Sequence, residues 1–122
     1  MRAEIIAIGD ELATGQRLDT NSQWLAERLT EMGVAPAFHT TIGDNIDDNV
    51  AAFAAAAQRV DVVVATGGLG PTADDLTREA LAAVAGVDLV RDEPSLAHIQ
   101  ALFAKRGRAM PERNVVQADF PR

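Results

Sequence analysis

The chain has 122 residues, no cysteine, and 18 acidic against 11 basic side chains, a formal net charge of -7. That length suits one domain, and the missing thiols exclude a disulfide scaffold, a thiolate zinc site and a cysteine nucleophile. A mixture of 48% hydrophobic and 24% charged residues argues against disorder, and the acidic balance argues against unspecific nucleic-acid binding, which needs Lys and Arg to displace counterions.

The apolar stretch Ala51–Ala57 falls far short of the roughly 20 residues that cross a bilayer, so no membrane span is expected. Met1 and Arg2 lead almost directly into apolar residues, which predicts no signal peptide and a cytoplasmic protein.

Ile5-Ile6-Ala7-Ile8 is a short apolar run ending at Gly9, with no two-residue alternation. Such a run fits a strand covered on both faces. Trp24, Leu25, Leu29 and Met32 then share one helical face, with Asn21 or Ser22 as a cap and Gly33 as a stop. Phe38–Ile42 is a weaker strand, and Pro36 before it marks a start or an edge. Ile46, Val50, Phe53, Ala54 and Ala57 form a second helical stripe, capped by Asp44 or Asn45. Asp61–Ala65 is the strongest strand, being β-branched, and ends at Thr66-Gly67-Gly68. Leu76, Ala80, Leu81 and Val84 make a third stripe closed by Gly86, and Val87–Val90 a last strand. Leu96, Ile99 and Phe103 make a fourth, with Pro94 in its first turn and Gly107 past its end. From Met110 to Arg122 no period is visible, and the segment is expected to be a loop. The order βαβαβαβα predicts parallel strands with helices on both faces, a doubly wound α/β sheet.

Ligands of such sheets bind beyond the carboxyl ends of the strands. Three segments leave those ends: Gly9–Gly15, continuing to Asp19 and Asn21; Gly43–Asn45; and Thr66–Thr77. The third is the sharpest, because three glycines follow a buried strand and precede a helix. Glycine lets the backbone turn tightly and bring its amides near a ligand, and a helix start adds the positive end of its dipole. Phosphate is the natural guest. A plain turn with Thr72 and Asp75 as a capping box is the alternative. The loop lacks the lysine of a Walker A motif, and Gly68, Gly70 and Ala73 match the dinucleotide fingerprint only formally, with Pro71 inside it. Asp10, Glu11, Asp44, Asp74 and Asp75 are expected on one rim, where a bare polyphosphate would be repelled; hard oxygen donors suit Mg²⁺ or Mn²⁺. Only Ser22 and Ser95 are present, outside any G-x-S-x-G, and His39 and His98 are isolated. Neither a serine hydrolase nor a histidine metal site is expected.

These segments together resemble the amino-terminal domain of the CinA (competence/damage-inducible) family, within the molybdopterin-binding superfamily that includes MoaB and Mog. The resemblance runs from about Ala3 to Phe120 and includes Arg106–Glu112, Asn114 and Gln117-Ala118. It implies a three-layer αβα sandwich, molybdopterin-binding-domain-like, in a single domain over residues 1–122. That domain is expected to be cut short on its C-terminal side, because the family domain continues further. It implies a small phosphorylated ligand (ADP-ribose, a nucleotide or a pterin such as molybdopterin), a divalent metal (Mg, Mn or Co), and a homo-oligomer, dimer or trimer. It also implies metal-dependent cleavage of the ADP-ribose pyrophosphate, with adenylyl transfer to molybdopterin or non-catalytic binding as alternatives. Leu69 and Asp74 stand where the adenylyltransferases carry Thr and Arg, which favours the CinA branch. Asp44 and Asp75 are then the expected catalytic acids, with Asp44, Asp74 and Asp75 as metal ligands. Gly9, Asp10, Glu11, Gly15, Asn21, Thr66, Gly67, Gly68, Leu69, Gly70, Pro71, Thr72 and Thr77 are the expected ligand contacts.

Overall fold

The computed structural model describes every residue, Met1–Arg122. In chain order the elements are β1 (Arg2–Ile8), α1 (Asp10–Ala13), α2 (Thr20–Glu31), β2 (Ala35–Ile42), α3 (Ile46–Arg59), β3 (Val62–Thr66), α4 (Thr77–Ala85), β4 (Leu89–Arg91), α5 (Glu93–Lys105), a 3-10 helix (Glu112–Ala118) and β5 (Asp119–Pro121). No helix is long and apolar enough to cross a membrane.

β1 is the middle strand of a three-stranded parallel sheet ordered β2-β1-β3. Its residues Ala3–Ile8 are all buried, as the unbroken apolar run predicts. Successive side chains point to opposite faces. Ile6 and Ile8 meet Phe53 and Ala56 of α3 and Ala80 of α4. Ala3, Ile5 and Ala7 point the other way, where α2 crosses β1 and β2. Helices therefore cover both faces, the expected layered α/β arrangement.

Glu4 lies in that central strand, fully buried, on the face of Ile6. Its carboxylate accepts from Arg59 Nε and Nη2 at 2.8 and 2.7 Å and from the Thr40 hydroxyl at 2.6 Å. The Arg59 guanidinium lies 3.9 Å over the Phe38 ring. This ion pair ties β1, β2 and α3 together at the end of the sheet away from the loops.

Four expectations are corrected. The last predicted strand does not join the parallel sheet: β4 pairs antiparallel with β5 in a separate ribbon. The segment after Met110 is not a loop. It forms the 3-10 helix and β5, and β5 is the strand that β4 pairs with. Trp24 is 58% exposed and Met32 76% exposed. Asp19, not Asn21 or Ser22, caps α2, accepting from the Ser22 amide at 3.0 Å. Buried Ser22, with half-buried Leu25, Ala26 and Leu29, forms the inward face. Small side chains let the helix approach the sheet closely, and Trp24 turns outward beneath the Arg28 guanidinium, 5.8 Å from its ring.

Candidate functional site

β1, β2 and β3 are parallel, so their carboxyl ends and the loops after them open on the same side of the sheet. The loops after β1 and β2 are latched to each other. The Asp44 amide donates to Asp10 Oδ1 at 2.8 Å, the Asp10 amide donates to Asp44 Oδ2 at 3.3 Å, and the Gly9 amide reaches the Ile42 carbonyl at 2.9 Å. From α3, the fully buried Asn49 donates Nδ2 to the carbonyls of Gly43 and Asn45, at 3.0 and 2.7 Å, while its Oδ1 has no partner. Asn49 was not anticipated. An amide side chain three residues after Ile46 and four before Phe53, in the apolar stripe of the helix, was the available signal.

The acids gather as expected, with one exception. Burial raises the Asp44 carboxyl above the usual range; the Asp10 amide opposes this, and the charges of Asp10, Glu11 and Asp74 add to it. Asp75 instead turns into the Gly-rich bend, accepting on Oδ2 from the Thr72 amide at 3.0 Å and the Thr72 hydroxyl at 2.7 Å. Burial works to raise its carboxyl, but the Thr72 hydroxyl and amide and the Gly70 amide carry it below the usual range. The Thr72–Asp75 pair closes a turn rather than capping α4, which begins only at Thr77 behind Leu76. No three of these carboxylates converge as a metal's ligands, so Asp44, Asp74 and Asp75 do not form the expected set.

A polar cavity of about 390 Å³ opens beside β3, lined by Ile8, Glu11, Leu12, Arg17, Leu18, Asp19, Thr20, Asn21, Thr66 and Gly67. It brings together Glu11, Asn21, Thr66 and Gly67 from the expected contacts. Arg17, the only cation in its wall, was not anticipated; a lone basic residue between Gly15 and Asp19 was the signal. Gly9 leaves room for the Glu11 carboxylate, which a Cβ there would strike. Gly15 has φ 78° with open space around it and serves the turn alone.

The bend is built on two positive-φ glycines, Gly67 at 92° and Gly68 at 69°. A Cβ at Gly67 would collide with the Ile8 carbonyl, and one at Gly68 with the Thr77 hydroxyl. Thr77 therefore holds the bend: its hydroxyl donates to Gly67 O at 2.8 Å and its amide to Gly68 O at 3.1 Å. The Leu69 side chain leaves the expected site and lines an amphipathic cavity of about 520 Å³ with Leu81, Phe103 and Phe120. Pro71 is half-buried and Thr72 and Asp74 exposed along the outer arm of the bend.

A divalent ion has a partial fit here. Asp10 and Asp44 supply paired carboxylates, and the crowding of Asp10, Glu11 and Asp74 on Asp44 is a repulsion that a cation relieves. Mg²⁺ commonly takes one or two protein carboxylates and completes its shell with water and phosphate oxygens.

The family described as "probable molybdopterin binding domain" matches residues 4–119. A CinA-like protein of Anaeromyxobacter dehalogenans is 50% identical over 122 residues, which are 100% of this chain and 30% of that protein. A CinA-like protein of Dictyoglomus thermophilum is 50% identical over 118 residues, 97% of this chain and 29% of the other. The chain thus spans less than a third of the length of these relatives. The crystal structure of CinA from Thermoplasma acidophilum superposes with a TM-score of 0.91 at 32% identity, over 99% of this chain and 71% of that one. The molybdopterin biosynthesis enzyme MoaB of Thermus thermophilus superposes with a TM-score of 0.64 at 20% identity, over 97% of this chain and 70% of that one, which shows the shared fold. With the family match running almost end to end and the parallel-sheet core shared with CinA, the chain belongs to the molybdopterin-binding-domain family, in its CinA-like branch.

Proposed function

We propose that this domain binds a nucleotide pyrophosphate of the ADP-ribose type across the acid rim and the Gly-rich bend, and hydrolyses it. The observation that carries this reading is Asp75. Its carboxylate rests on the Thr72 amide and hydroxyl, with the Gly70 amide adding to its stabilisation, so an oxyanion already occupies the outer arm of the bend. A phosphate oxygen asks the same of backbone amides. Arg17 in the cavity wall supplies charge for a second phosphate, and Glu11 and Asn21 offer acceptors and donors for ribose hydroxyls.

Asp44 is the base of this scheme. A carboxyl raised by burial and by neighbouring acids holds a proton more readily than an ordinary aspartate, which suits it to take one from an attacking water. The water oxygen bonds to phosphorus, the bridging P–O bond breaks, and AMP and a ribose phosphate leave. A bound divalent ion would supply Lewis acidity and offset the acid rim.

The test is incubation of the chain with ADP-ribose and Mg²⁺, Mn²⁺ or Co²⁺, with AMP formation followed by chromatography. AMP release that disappears in Asp44→Asn supports the reading; none from the folded chain with any of the three ions rejects hydrolysis by this domain. A second reading, binding without turnover, draws support from Asp75, an expected catalytic acid whose carboxylate is engaged in holding the bend. Calorimetry that shows ADP-ribose binding without product favours it.

A further inference from the structure

Four consecutive carbonyls of the Gly-rich bend accept from the first two residues of α4. Thr77 takes Gly67 O and Gly68 O through its hydroxyl and amide. Arg78 takes the next two: Nη1 donates to Leu69 O at 2.7 Å and Nη2 to Gly70 O at 2.9 Å. The peptides here are trans, and in a trans peptide the N–H points opposite to the C=O. With carbonyls 67 to 69 all drawn toward α4, the amides of Gly68, Leu69 and Gly70 face away from it, the Gly70 amide toward the Asp75 carboxylate. The bend is thus polarised, acceptors on one side and donors on the other, which is the arrangement of an anion-binding nest.

Arg78 is only 5% exposed, yet it makes no ion pair; both of its hydrogen-bonding nitrogens serve backbone carbonyls. Buried charges are normally paired with an opposite charge. This one lies behind the bend, where its field already favours the charged Asp75 carboxylate and adds to the pull of the amides on an anion in front. Two neighbouring carbonyls also match the fixed fork of a guanidinium, which the single ammonium of lysine does not reproduce.

We propose that Arg78 is a positioning residue that sets the polarity of the Gly-rich bend, so that its amides are presented to a pyrophosphate oxygen. The ligand half of this statement rests on the function proposed above; the hold on the bend does not.

The test uses the 122-residue chain with Arg78→Met and Arg78→Lys. Amide hydrogen exchange is read residue by residue, thermal unfolding is followed in parallel, and inorganic pyrophosphate with Mg²⁺ is titrated by calorimetry. In Arg78→Met, exchange at the Thr72 and Thr77 amides, which the folded bend holds on Asp75 Oδ2 and Gly68 O, is expected to rise roughly tenfold or more while β1 and α3 amides stay protected, and pyrophosphate affinity to fall roughly 10- to 100-fold. Arg78→Lys is expected to recover the melting temperature but only part of the affinity. It also carries the exchange test if the Met variant does not fold. Unchanged exchange in the bend of a folded variant overturns the proposal, whatever the chain binds. Accelerated exchange in the variant of a wild-type chain that ignores pyrophosphate supports the hold on the bend and refutes the ligand reading alone.

Discussion

Replacing Arg59 by Met keeps its aliphatic stem but removes the guanidinium from Glu4 and from the Phe38 ring. The carboxylate then lies in a fully buried strand with only the Thr40 hydroxyl as donor. Two charge-assisted hydrogen bonds of about 1.5–3 kcal/mol each are lost. The Arg59 side chain is 41% exposed, so water can enter where it stood and offset part of that cost. The net expected loss is about 3 kcal/mol at neutral pH, a fall of roughly 10 °C in melting temperature for a domain of this size. The pH dependence separates this cause from lost packing. In the wild type the Arg59 hydrogen bonds, opposed by burial and helped by Thr40, hold the Glu4 carboxyl below its ordinary value. A depressed carboxyl stabilises the fold above its unfolded pKa, about 4.3, and that contribution disappears as pH falls through the folded value. In Arg59→Met burial dominates instead, so protonation of Glu4 relieves the variant. The difference between the two proteins is therefore largest at pH 7 and shrinks toward pH 4. Urea unfolding of both proteins at pH 7, 5 and 4 measures it. A difference that does not change with pH would refute the buried ion pair as its source.

Three further outcomes are expected. Asp44→Asn should raise stability at pH 7, because a raised carboxyl is stabilising only while protonated and loses that contribution as pH rises through its folded value; urea midpoints at pH 7 and pH 4 measure the gain, which should vanish in acid. Gly68→Ala should cost at least about 2–3 kcal/mol, since its φ of 69° and the Thr77 hydroxyl both exclude a Cβ, whereas Gly15→Ala, in open space, should cost about 1 kcal/mol of backbone strain; equal losses in thermal unfolding would contradict the close approach. Asn49→Ala should cost about 2 kcal/mol by leaving the Gly43 and Asn45 carbonyls without their donor, and should speed exchange of the Asp44 amide next to them.

What could be read from the chain alone was whatever local chemistry fixes. β1 and β3 followed from apolar runs that tolerate cover on both faces. The Asn45 cap of α3, the stops at Gly33, Gly86 and Gly107 and the position of Pro94 followed from backbone dihedrals and unpaired amides that any neighbour would leave unchanged. The three loop clusters of the candidate site were visible for the same reason: parallel strands send their carboxyl ends to one side. Tertiary contact decided the rest. The segment after Met110 has no period, and only pairing with β4 makes β5 a strand. Trp24 fits a helical stripe, but the phase of α2 is set by how closely Ser22 and Ala26 can approach the sheet, so the largest side chain turned outward. The turn with a Thr72–Asp75 pair was legible only as the alternative to a place for Asp75 among its acidic neighbours; the bend that offered it the Thr72 hydroxyl and amide decided between them. Arg78 carried no sequence signal, because what defines it is four carbonyls turned toward α4, an alignment that exists only once Gly67 and Gly68 have adopted positive φ.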